Sequence, residues 1–384
     1  MSYMTEERKL IQQTAREFAM KEVLPLANRL DPEQGDIPME LREKMARMGY
    51  FGILIPQEYG GLGLGAFEYV LVTEELARAW MSVASIIARG NGIWGDLSEE
   101  QKRKYYPPMA RGELLGAFSL SEPEAGSDLA SISCRAVRDG DEWVINGSKT
   151  WVTFADGADF IQLFARTQPA PDERRRYLGI SQFLIFKPRG SLPPGVKGSP
   201  IRKIGYFGWK TWELHFENCR VPASALVGEE GRGFYAMMSG LELARVHTAA
   251  RAIGLARGAL EDAIEYAKQR VQFKRPIAEF QWIRFKLAEM ATEIEAARQL
   301  TYFVANEMDS KRRCDKEASM AKWFASEMAE RVTSAALQIH GGYGYTKEFA
   351  VERYWRDARL TRIFEGTSEI QLRIISNRLL GSIE

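Results

Sequence analysis

A carboxylate near the carboxyl end of the chain, Glu365, stands in a setting that suits a catalytic base. It follows the apolar pair Ile363 and Phe364 and precedes Gly366, so its side chain leaves an apolar wall where the backbone can bend. A carboxylate held inside such a cleft can remove a proton from a substrate. The alternative is a solvated glutamate beside an ordinary helix cap, and other segments must decide between the two.

The two residues that follow Gly366, namely Thr367 and Ser368, supply hydroxyl and amide donors. From Glu369 to Leu380 the apolar residues have helical spacing. We therefore predict a helix whose N-terminus faces the cleft, an arrangement that favours anionic groups.

A turn in the first half of the chain holds further donors. Ser121 and Ser127 lie on either side of Gly126 within the segment from Phe118 to Asp128. Their hydroxyls suit the oxygens of a ring or a phosphate, and they suit an ordinary turn equally well.

The composition limits the partners that these groups could serve. With 384 residues and 45% hydrophobic content, the chain can bury a large core. Lys and Arg number 52 against 51 Asp and Glu, so the charge balance gives no reason to expect nucleic acid as a partner. No apolar run is long enough to cross a bilayer, so we expect no membrane insertion. Three distant cysteines without metal-binding spacing favour a cytoplasmic location and no metal site.

Helical periodicity dominates both ends of the sequence, and strand-like runs fill the middle. In the first part of the chain, helices are predicted over 6–30, 39–48, 67–89 and from 98 onward. The glycine-rich run 60–65 lacks a preceding strand, so we interpret it as a turn and not as a dinucleotide loop.

From Leu114 to Val221, runs rich in Phe, Ile and Leu alternate with Gly, Pro and Asp clusters, as strands do. Helical patterns then return near 234–270, 278–309, 315–340 and 367–380. We therefore predict a mainly α protein with a central β domain, divided into 1–113, 114–226 and 227–384.

This order of elements, together with several motifs, resembles the acyl-CoA dehydrogenase family over almost the whole chain. Residues 118–128 are similar to the family's first signature, and Trp151-Val152-Thr153 is similar to its Trp-x-Thr segment. The resemblance implies a helical N-terminal domain, a β-barrel-like middle domain and a C-terminal four-helix bundle. It also implies FAD, which needs the flat apolar wall and the edge donors of such a segment. The alternative to a flavin contact is that Trp151 simply packs within a sheet.

Two further segments are similar to those that reach the cofactor of a neighbouring subunit in the family. One runs from Arg270 to Phe273, with Gln281 nearby, and its arginine fork suits a diphosphate. The other, 338–344, reads Gln-x-x-Gly-Gly-x-Gly, although its glycines could merely end a helix. Lys274 stands where the family usually has glycine. The resemblance implies a homotetramer, or at least a dimer.

By this resemblance, the FAD-binding residues are Phe118, Leu120, Ser121, Ser127, Trp151, Val152, Thr153, Arg270, Gln272, Phe273, Gln281, Gln338, Gly341, Gly342, Thr367 and Glu369. The substrate-binding residues are Ser127, Glu242, Arg245, Gly366 and Arg89. For Arg245, an ion pair with Glu242 one turn earlier is an equal alternative.

The resemblance implies α,β-dehydrogenation of an acyl-CoA thioester, in which Glu365 removes the α-proton and the flavin takes the β-hydride. The thioester carbonyl is expected at the backbone N–H of Glu365. Some relatives carry the base at the position that is Ala244 here. Because alanine cannot act as a base, this supports the assignment of Glu365 as the base. Electron-transfer flavoprotein is the expected electron acceptor. An oxygen-using acyl-CoA oxidase and a flavin scaffold without dehydrogenase activity are the alternatives.

Arg89, at the end of the predicted helix 67–89, is relevant to which acyl group the enzyme accepts. A guanidinium at an apolar helix end is unfavourable to bury without an anion, and Ser85 and Ile86 offer none. It either reaches water, pairs with a protein carboxylate, or binds a carboxylate of the ligand. In the last case the enzyme prefers a substituted succinyl-CoA or a glutaryl-CoA over plain fatty acyl-CoAs.

Overall fold

The computed structural model describes residues 3 to 381 of the chain. Helices precede the first strand, and they are α1 Glu6–Phe18, α2 Leu24–Leu30, α3 Met39–Arg47, α4 Ala66–Ala79, α5 Met81–Ile86 and α6 Glu99–Ala110. A π-helical turn, Ala19–Val23, joins α1 to α2. Ser98 and Gln101 cap α6 through reciprocal hydrogen bonds, and the helix begins where the sequence predicted.

The predicted single helix over 67–89 is wrong, because the chain forms two helices there. Trp80 is extended (φ −159°, ψ 116°) and ends α4, and its carbonyl accepts hydrogen bonds from the N–H groups of Val83 and Ala84. Arg89 then lies in a 3₁₀ turn, Ile87–Arg89. Apolar spacing cannot reveal this break, because both helices are buried on all sides and neither Gly nor Pro marks it.

The middle of the chain forms a sheet from β1 Gly116–Ser119, β2 Arg135–Asp139, β3 Glu142–Thr153, β4 Phe160–Arg166, β5 Ile180–Phe186, β6 Val196–Pro200, β7 Thr211–Pro222 and β8 Leu226–Val227. Its order is β6-β7-β3-β2-β4-β5-β8, and β1 pairs in parallel with β4. The register between β3 and β7 shifts between Lys149 and Val152. Within that irregularity Trp151 has a φ of 60° and stays exposed.

The rest of the chain is helical, comprising α7 Gly233–Gln269, a hairpin of β9 Val271–Gln272 and β10 Arg275–Pro276, α8 Gln281–Asp309, α9 Asp315–His340, α10 Val351–Thr361 and α11 Ser368–Leu380. The helix α10 was not predicted from the apolar spacing of the sequence. Its inward face includes Arg353, Arg356 and Asp357 beside its apolar residues, so the apolar stripe that identifies a helix is interrupted. The predicted mainly α fold with a central β domain is confirmed.

One continuous apolar core joins the helices to the sheet. It includes Leu76 of α4, Phe183 of β5, Ile253 of α7 and Val332 of α9. Every residue of α7 from Arg245 to Ala256 is buried. Because interiors are close-packed, charged side chains that α7 carries inward have defined positions. No helix in residues 3–381 is both long and apolar enough to span a membrane.

Candidate active site

Glu365 lies in the turn between α10 and α11. Its backbone is left-handed, with a φ of 55°, and Gly366 follows with a φ of 90°. This conformation is uncommon for a residue with a side chain, and the surroundings must offset its strain. The carbonyl of Gly366 accepts hydrogen bonds from Lys322 Nζ at 2.7 Å and from Gln371 Nε2 at 2.9 Å. These two buried side chains hold the turn in place.

The carboxylate of Glu365 is hydrogen-bonded to two side chains of α7, which the apolar residues before it in the sequence did not indicate. Its Oε2 accepts hydrogen bonds from Arg251 Nη2 at 2.7 Å and from Thr248 Oγ1. The side chain of Glu365 is 27% exposed, whereas that of Arg251 is 1% exposed. Glu365 is therefore an accessible carboxylate anchored by a buried cation.

Arg251 is fixed by several contacts besides the ion pair. Its Nη1 donates to Ser85 Oγ at 2.8 Å, and its guanidinium carbon lies 4.5 Å from the ring centroid of Phe364. Burial is the largest influence on the pKa of Arg251 and acts to lower it, but the charge and hydrogen bond of Glu365 together with Tyr206 and Tyr69 outweigh it, so the pKa is raised and the guanidinium stays charged. The sequence analysis missed Arg251. The available signal was an arginine inside the small and apolar run 249–256.

Arg89 approaches the same site from the turn after α5. Its guanidinium carbon lies 5.1 Å from the ring centroid of Phe118 and 5.2 Å from that of Trp209. Within the described part of the chain no carboxylate lies within 4 Å of it, and its Nε is buried without a hydrogen-bond partner. Burial lowers the pKa of Arg89. Pairing with a protein carboxylate, one of the predicted alternatives, is therefore wrong.

Aromatic side chains between β6 and β7 form a wall of the site that the sequence analysis did not predict. The ring of Tyr206 lies 5.3 Å from that of Trp209 and 5.9 Å from that of Phe364. The amide N–H of Tyr206 donates to Asp357 Oδ1 at 2.6 Å, which ties this loop to α10. Sequence gave no signal for this wall, because its rings converge only through the tertiary fold.

The predicted flavin-binding segments meet at the end of β3. The N–H of Thr150 donates to the carbonyl of Ser121 at 2.9 Å, which places the turn 118–128 beside Trp151. Trp151 is 61% exposed, and Thr153 Oγ1 lies 3.1 Å from Thr211 Oγ1. An exposed indole flanked by hydroxyl groups offers an apolar face and edge donors, so this donor set fits a flavin ring.

Some predicted cofactor residues do not have free side chains. Val152 is completely buried in the core, so only its backbone can contact a ligand. Thr367 is the N-cap of α11, and its hydroxyl accepts a hydrogen bond from the N–H of Ile370 at 3.3 Å. Ser127 and Glu369 are exposed, whereas Leu120 is half-buried.

The two segments predicted to reach a neighbouring subunit converge on one surface pocket. Arg270, Gln272, Gly341 and Gly342 line this pocket, whose volume is about 530 Å³. It lies at the junction of α7, α9 and the β9–β10 hairpin. Gln281 and Gln338 are exposed, so they are also free to contact a ligand.

Lys274 does not disturb the hairpin after Arg270. Phe273 and Lys274 form its two-residue turn, with φ values of 51° and 64°. Lysine therefore adopts the left-handed conformation that glycine adopts without strain. Phe273 is 88% exposed and projects away from the subunit.

The ion pair between Glu242 and Arg245, one of the two alternatives for Arg245, is not formed. Glu242 instead accepts a contact from Cys314 Sγ at 3.7 Å, and Arg245 Nε is buried without a hydrogen-bond partner within residues 3–381. Burial lowers the pKa of Arg245. Arg245 precedes Thr248 by one helical turn, so it lies on the side of α7 that holds Glu365.

Comparison with known proteins identifies the family to which a chain with this fold and site belongs. Family models described as the N-terminal, middle and C-terminal domains of acyl-CoA dehydrogenase match residues 5–113, 117–219 and 231–380. The fold and these matches define the class, a flavin-dependent oxidoreductase that acts on acyl-CoA thioesters. The chain belongs to the acyl-CoA dehydrogenase family.

Several relatives align over 98% or more of the chain. An acyl-CoA dehydrogenase of Bacillus subtilis (strain 168) is 44% identical over 99% of both chains. A (2S)-methylsuccinyl-CoA dehydrogenase of Cereibacter sphaeroides is 44% identical over 99% of this chain and 70% of its own length. Caffeyl-CoA reductase-Etf complex subunit CarC of Acetobacterium woodii is 42% identical over 98% of this chain and 99% of its own. These names cover different acyl groups, so similarity alone does not select one.

A solved structure extends the comparison to the cofactor. A glutaryl-CoA dehydrogenase from Mycobacterium smegmatis in complex with FADH2 superposes with a TM-score of 0.90 and 29% identity, covering 100% of this chain and 96% of that one. In that protein, the same fold holds reduced flavin.

Proposed function

We propose that this chain is an FAD-dependent acyl-CoA dehydrogenase whose acyl group carries a second carboxylate. Glu365 is the base that removes the α-proton, and Arg89 binds the second carboxylate. The observation that carries the substrate proposal is the guanidinium of Arg89, which lies over the rings of Phe118 and Trp209 and has no anionic partner within 4 Å among the described residues. A carboxylate can pair with it through two parallel hydrogen bonds.

The proposed base is held where it can reach a substrate. Lys322 and Gln371 fix the turn through the carbonyl of Gly366, and Thr248 and Arg251 fix the carboxylate. Within residues 3–381 the backbone N–H of Glu365 donates to no protein acceptor, so it is free to bind the thioester carbonyl. Such a donor stabilises the enolate-like charge that develops as the α-proton leaves. FAD, when bound, supplies the hydride acceptor that no side chain can provide.

The charges of the site also favour an anionic acyl group. Two guanidiniums, the half-buried Arg89 and the buried Arg251, interact electrostatically with one carboxylate, Glu365. An uncompensated charge in a desolvated site is strongly unfavourable. A substrate carboxylate at Arg89 supplies the missing negative charge, whereas a plain fatty acyl group does not.

The residues that fit FAD come from distant parts of the chain. We propose that Ser121, Trp151 and Thr153 contact the flavin ring of the same subunit. Arg270 and the glycine pair Gly341 and Gly342 complete the site of a neighbouring subunit. The open pocket that they line on the surface supports this assignment.

Electron-transfer flavoprotein is the proposed acceptor of the electrons, in line with the Etf complex that the Acetobacterium woodii relative is named for. The proposed domain boundaries, 1–113, 114–226 and 227–384, lie close to the ends of the matched family regions. Oxygen consumption during turnover distinguishes a dehydrogenase from an oxidase.

Anaerobic titration of the yellow holoprotein tests the substrate proposal. We expect glutaryl-CoA or a methylsuccinyl-CoA to bleach the flavin absorbance at least tenfold faster than butyryl-CoA. Only the first two carry a second carboxylate that can pair with Arg89. Equal rates would reject the dicarboxylic substrate and leave the dehydrogenase assignment standing. Absence of bleaching by every acyl-CoA would reject the proposed function itself.

The neighbouring-subunit proposal predicts a homotetramer, or at least a dimer. We expect sedimentation of the holoprotein to give no monomer, and we expect Arg270→Ala to weaken FAD retention because it removes a diphosphate ligand. Lys268→Ala, an exposed change in the last turn of α7, is the matched control. A monomer that retains FAD tightly would contradict this arrangement.

A further inference from the structure

A buried ion pair joins the two segments that are proposed to contact the flavin ring. Lys149 of β3 lies 2.9 Å from Glu122 of the turn 118–128, and their side chains are 0% and 5% exposed. Nζ of Lys149 also donates a hydrogen bond to the carbonyl of Leu120 at 2.8 Å. Burying two charges is unfavourable unless they are paired and hydrogen-bonded, so this pair needs a reason in the fold or in the function.

The carboxylate of Glu122 accepts several further hydrogen bonds. The N–H and the hydroxyl of Ser133 donate to its Oε2 at 2.7 and 2.8 Å, and the N–H of Cys134 donates to its Oε1 at 2.9 Å. Burial acts to raise the pKa of Glu122, but the charge and hydrogen bond of Lys149 and these N–H groups outweigh it. The pKa is therefore lowered and the carboxylate stays ionised. Glu122 thus joins its own turn both to β3 and to the residues before β2.

Both members of the pair lie close in sequence to proposed flavin contacts. Glu122 directly follows Ser121, and Lys149 precedes Trp151 by two residues. Lys149 is also the last residue of β3 that pairs with β7 before the register shifts, and within this irregularity Trp151 has a φ of 60°. A left-handed conformation is unfavourable for tryptophan, so contacts on either side must hold it. Lys149 supplies a fixed point on one side.

A backbone hydrogen bond reinforces the same junction. The N–H of Thr150 donates to the carbonyl of Ser121 at 2.9 Å. Together with the two contacts of Lys149, it connects β3 to the turn at three consecutive residues, 120–122. Both side chains of the pair are buried. The pair can therefore act on a cofactor only through the positions of the segments that it joins.

We propose that the Glu122–Lys149 pair positions the flavin site by holding Ser121 and Trp151 in the conformation that binds FAD before the cofactor enters. This inference rests on the proposed function, in which these two residues contact the flavin ring, and deepens it by naming the groups that organise the site. A site that is already ordered has a smaller entropic cost of binding. Glu122 and Lys149 are positioning residues and not ligands of the cofactor.

FAD retention by the full-length holoprotein tests this proposal. The proteins are the wild type, Lys149→Met, Glu122→Gln and the double variant Glu122→Gln/Lys149→Met. Serial dilution and ultrafiltration give the dissociation constant of FAD. Heating, followed by flavin fluorescence and by far-UV circular dichroism, gives separate temperatures for flavin release and for unfolding. Lys187→Met is the matched control, because it removes another buried lysine of the same domain, one that donates to three backbone carbonyls outside both flavin segments.

We expect Lys149→Met to raise the dissociation constant of FAD about tenfold or more and to release flavin below the unfolding temperature, because the turn loses two contacts with β3. The double variant should unfold at a higher temperature than Lys149→Met, since it leaves no buried carboxylate without a cation. Its dissociation constant stays raised, because the carbonyl of Leu120 still lacks the lysine donor. Glu122→Gln causes a smaller increase, since Lys149 can still donate to that carbonyl. In Lys187→Met, as in the wild type, flavin release and unfolding coincide.

Two results would overturn the proposal. One is a dissociation constant of FAD within about threefold of the wild type in both Lys149→Met and the double variant. The other is recovery of FAD retention together with stability in the double variant, and in either case the pair supports only the fold. If Lys149→Met does not fold, the double variant decides the question alone. A wild type that retains FAD but is bleached by no acyl-CoA rejects the proposed function without affecting this test.

Discussion

Glu365→Gln is expected to yield a folded, yellow protein whose flavin is reduced by acyl-CoA at least about a hundredfold more slowly than in the wild type. Glutamine preserves the shape of the side chain and can still accept hydrogen bonds from Arg251 and Thr248. It cannot take up the α-proton. Anaerobic stopped-flow absorbance with the best acyl-CoA of the panel measures the effect.

The control for this variant is Glu348→Gln, which changes an exposed carboxylate before α10. Its reduction rate should equal that of the wild type. Glu365→Gln also leaves Arg251 buried without a negative partner, so a lower melting temperature is expected for this variant alone. If the flavin of Glu365→Gln were bleached at the wild-type rate, Glu365 would not be the base.

Arg89→Met is expected to lower kcat/KM for glutaryl-CoA about a hundredfold or more while changing that for butyryl-CoA little. Truncating one partner of a buried, hydrogen-bonded charge pair costs about 2–5 kcal/mol, and about 2.7 kcal/mol corresponds to a factor of one hundred. Methionine retains an apolar side chain of similar length and removes the guanidinium that lies over the rings of Phe118 and Trp209. Steady-state kinetics on both thioesters measures the loss.

Arg89→Lys separates charge from geometry in the same experiment. Lysine keeps the positive charge and loses the paired donors of arginine, so an intermediate loss is expected. An equal loss on both thioesters in Arg89→Met would instead assign Arg89 to the packing of the site. Retention of the glutaryl-CoA rate would mean that another residue binds the second carboxylate.

Much of the fold could be predicted from the sequence, because long segments have unambiguous periodicity. The helices α1, α6, α7, α8 and α9 and the central strands follow from apolar spacing and from caps such as Ser98. The break at Trp80 could not be predicted, because both flanking helices are buried all round.

The candidate site was only partly predictable. Glu365 and Arg89 were identified because each carries a charge next to apolar residues in the sequence. Their relation to Arg251 and Tyr206 depends on four segments that meet only in the folded chain. Local spacing contains no information on contacts between residues more than one hundred positions apart, such as Thr248 and Glu365.

The extended backbone at Trp80, between α4 and α5, affects the orientation of the segment that ends in Arg89. In a continuous helix, inserting or deleting one residue would rotate every later side chain by about 100°. Because Trp80 interrupts the helical ladder, the helical phase of α4 does not fix that of α5. The orientation of the segment 81–89, and with it the position of Arg89, therefore depends on the extended backbone at Trp80.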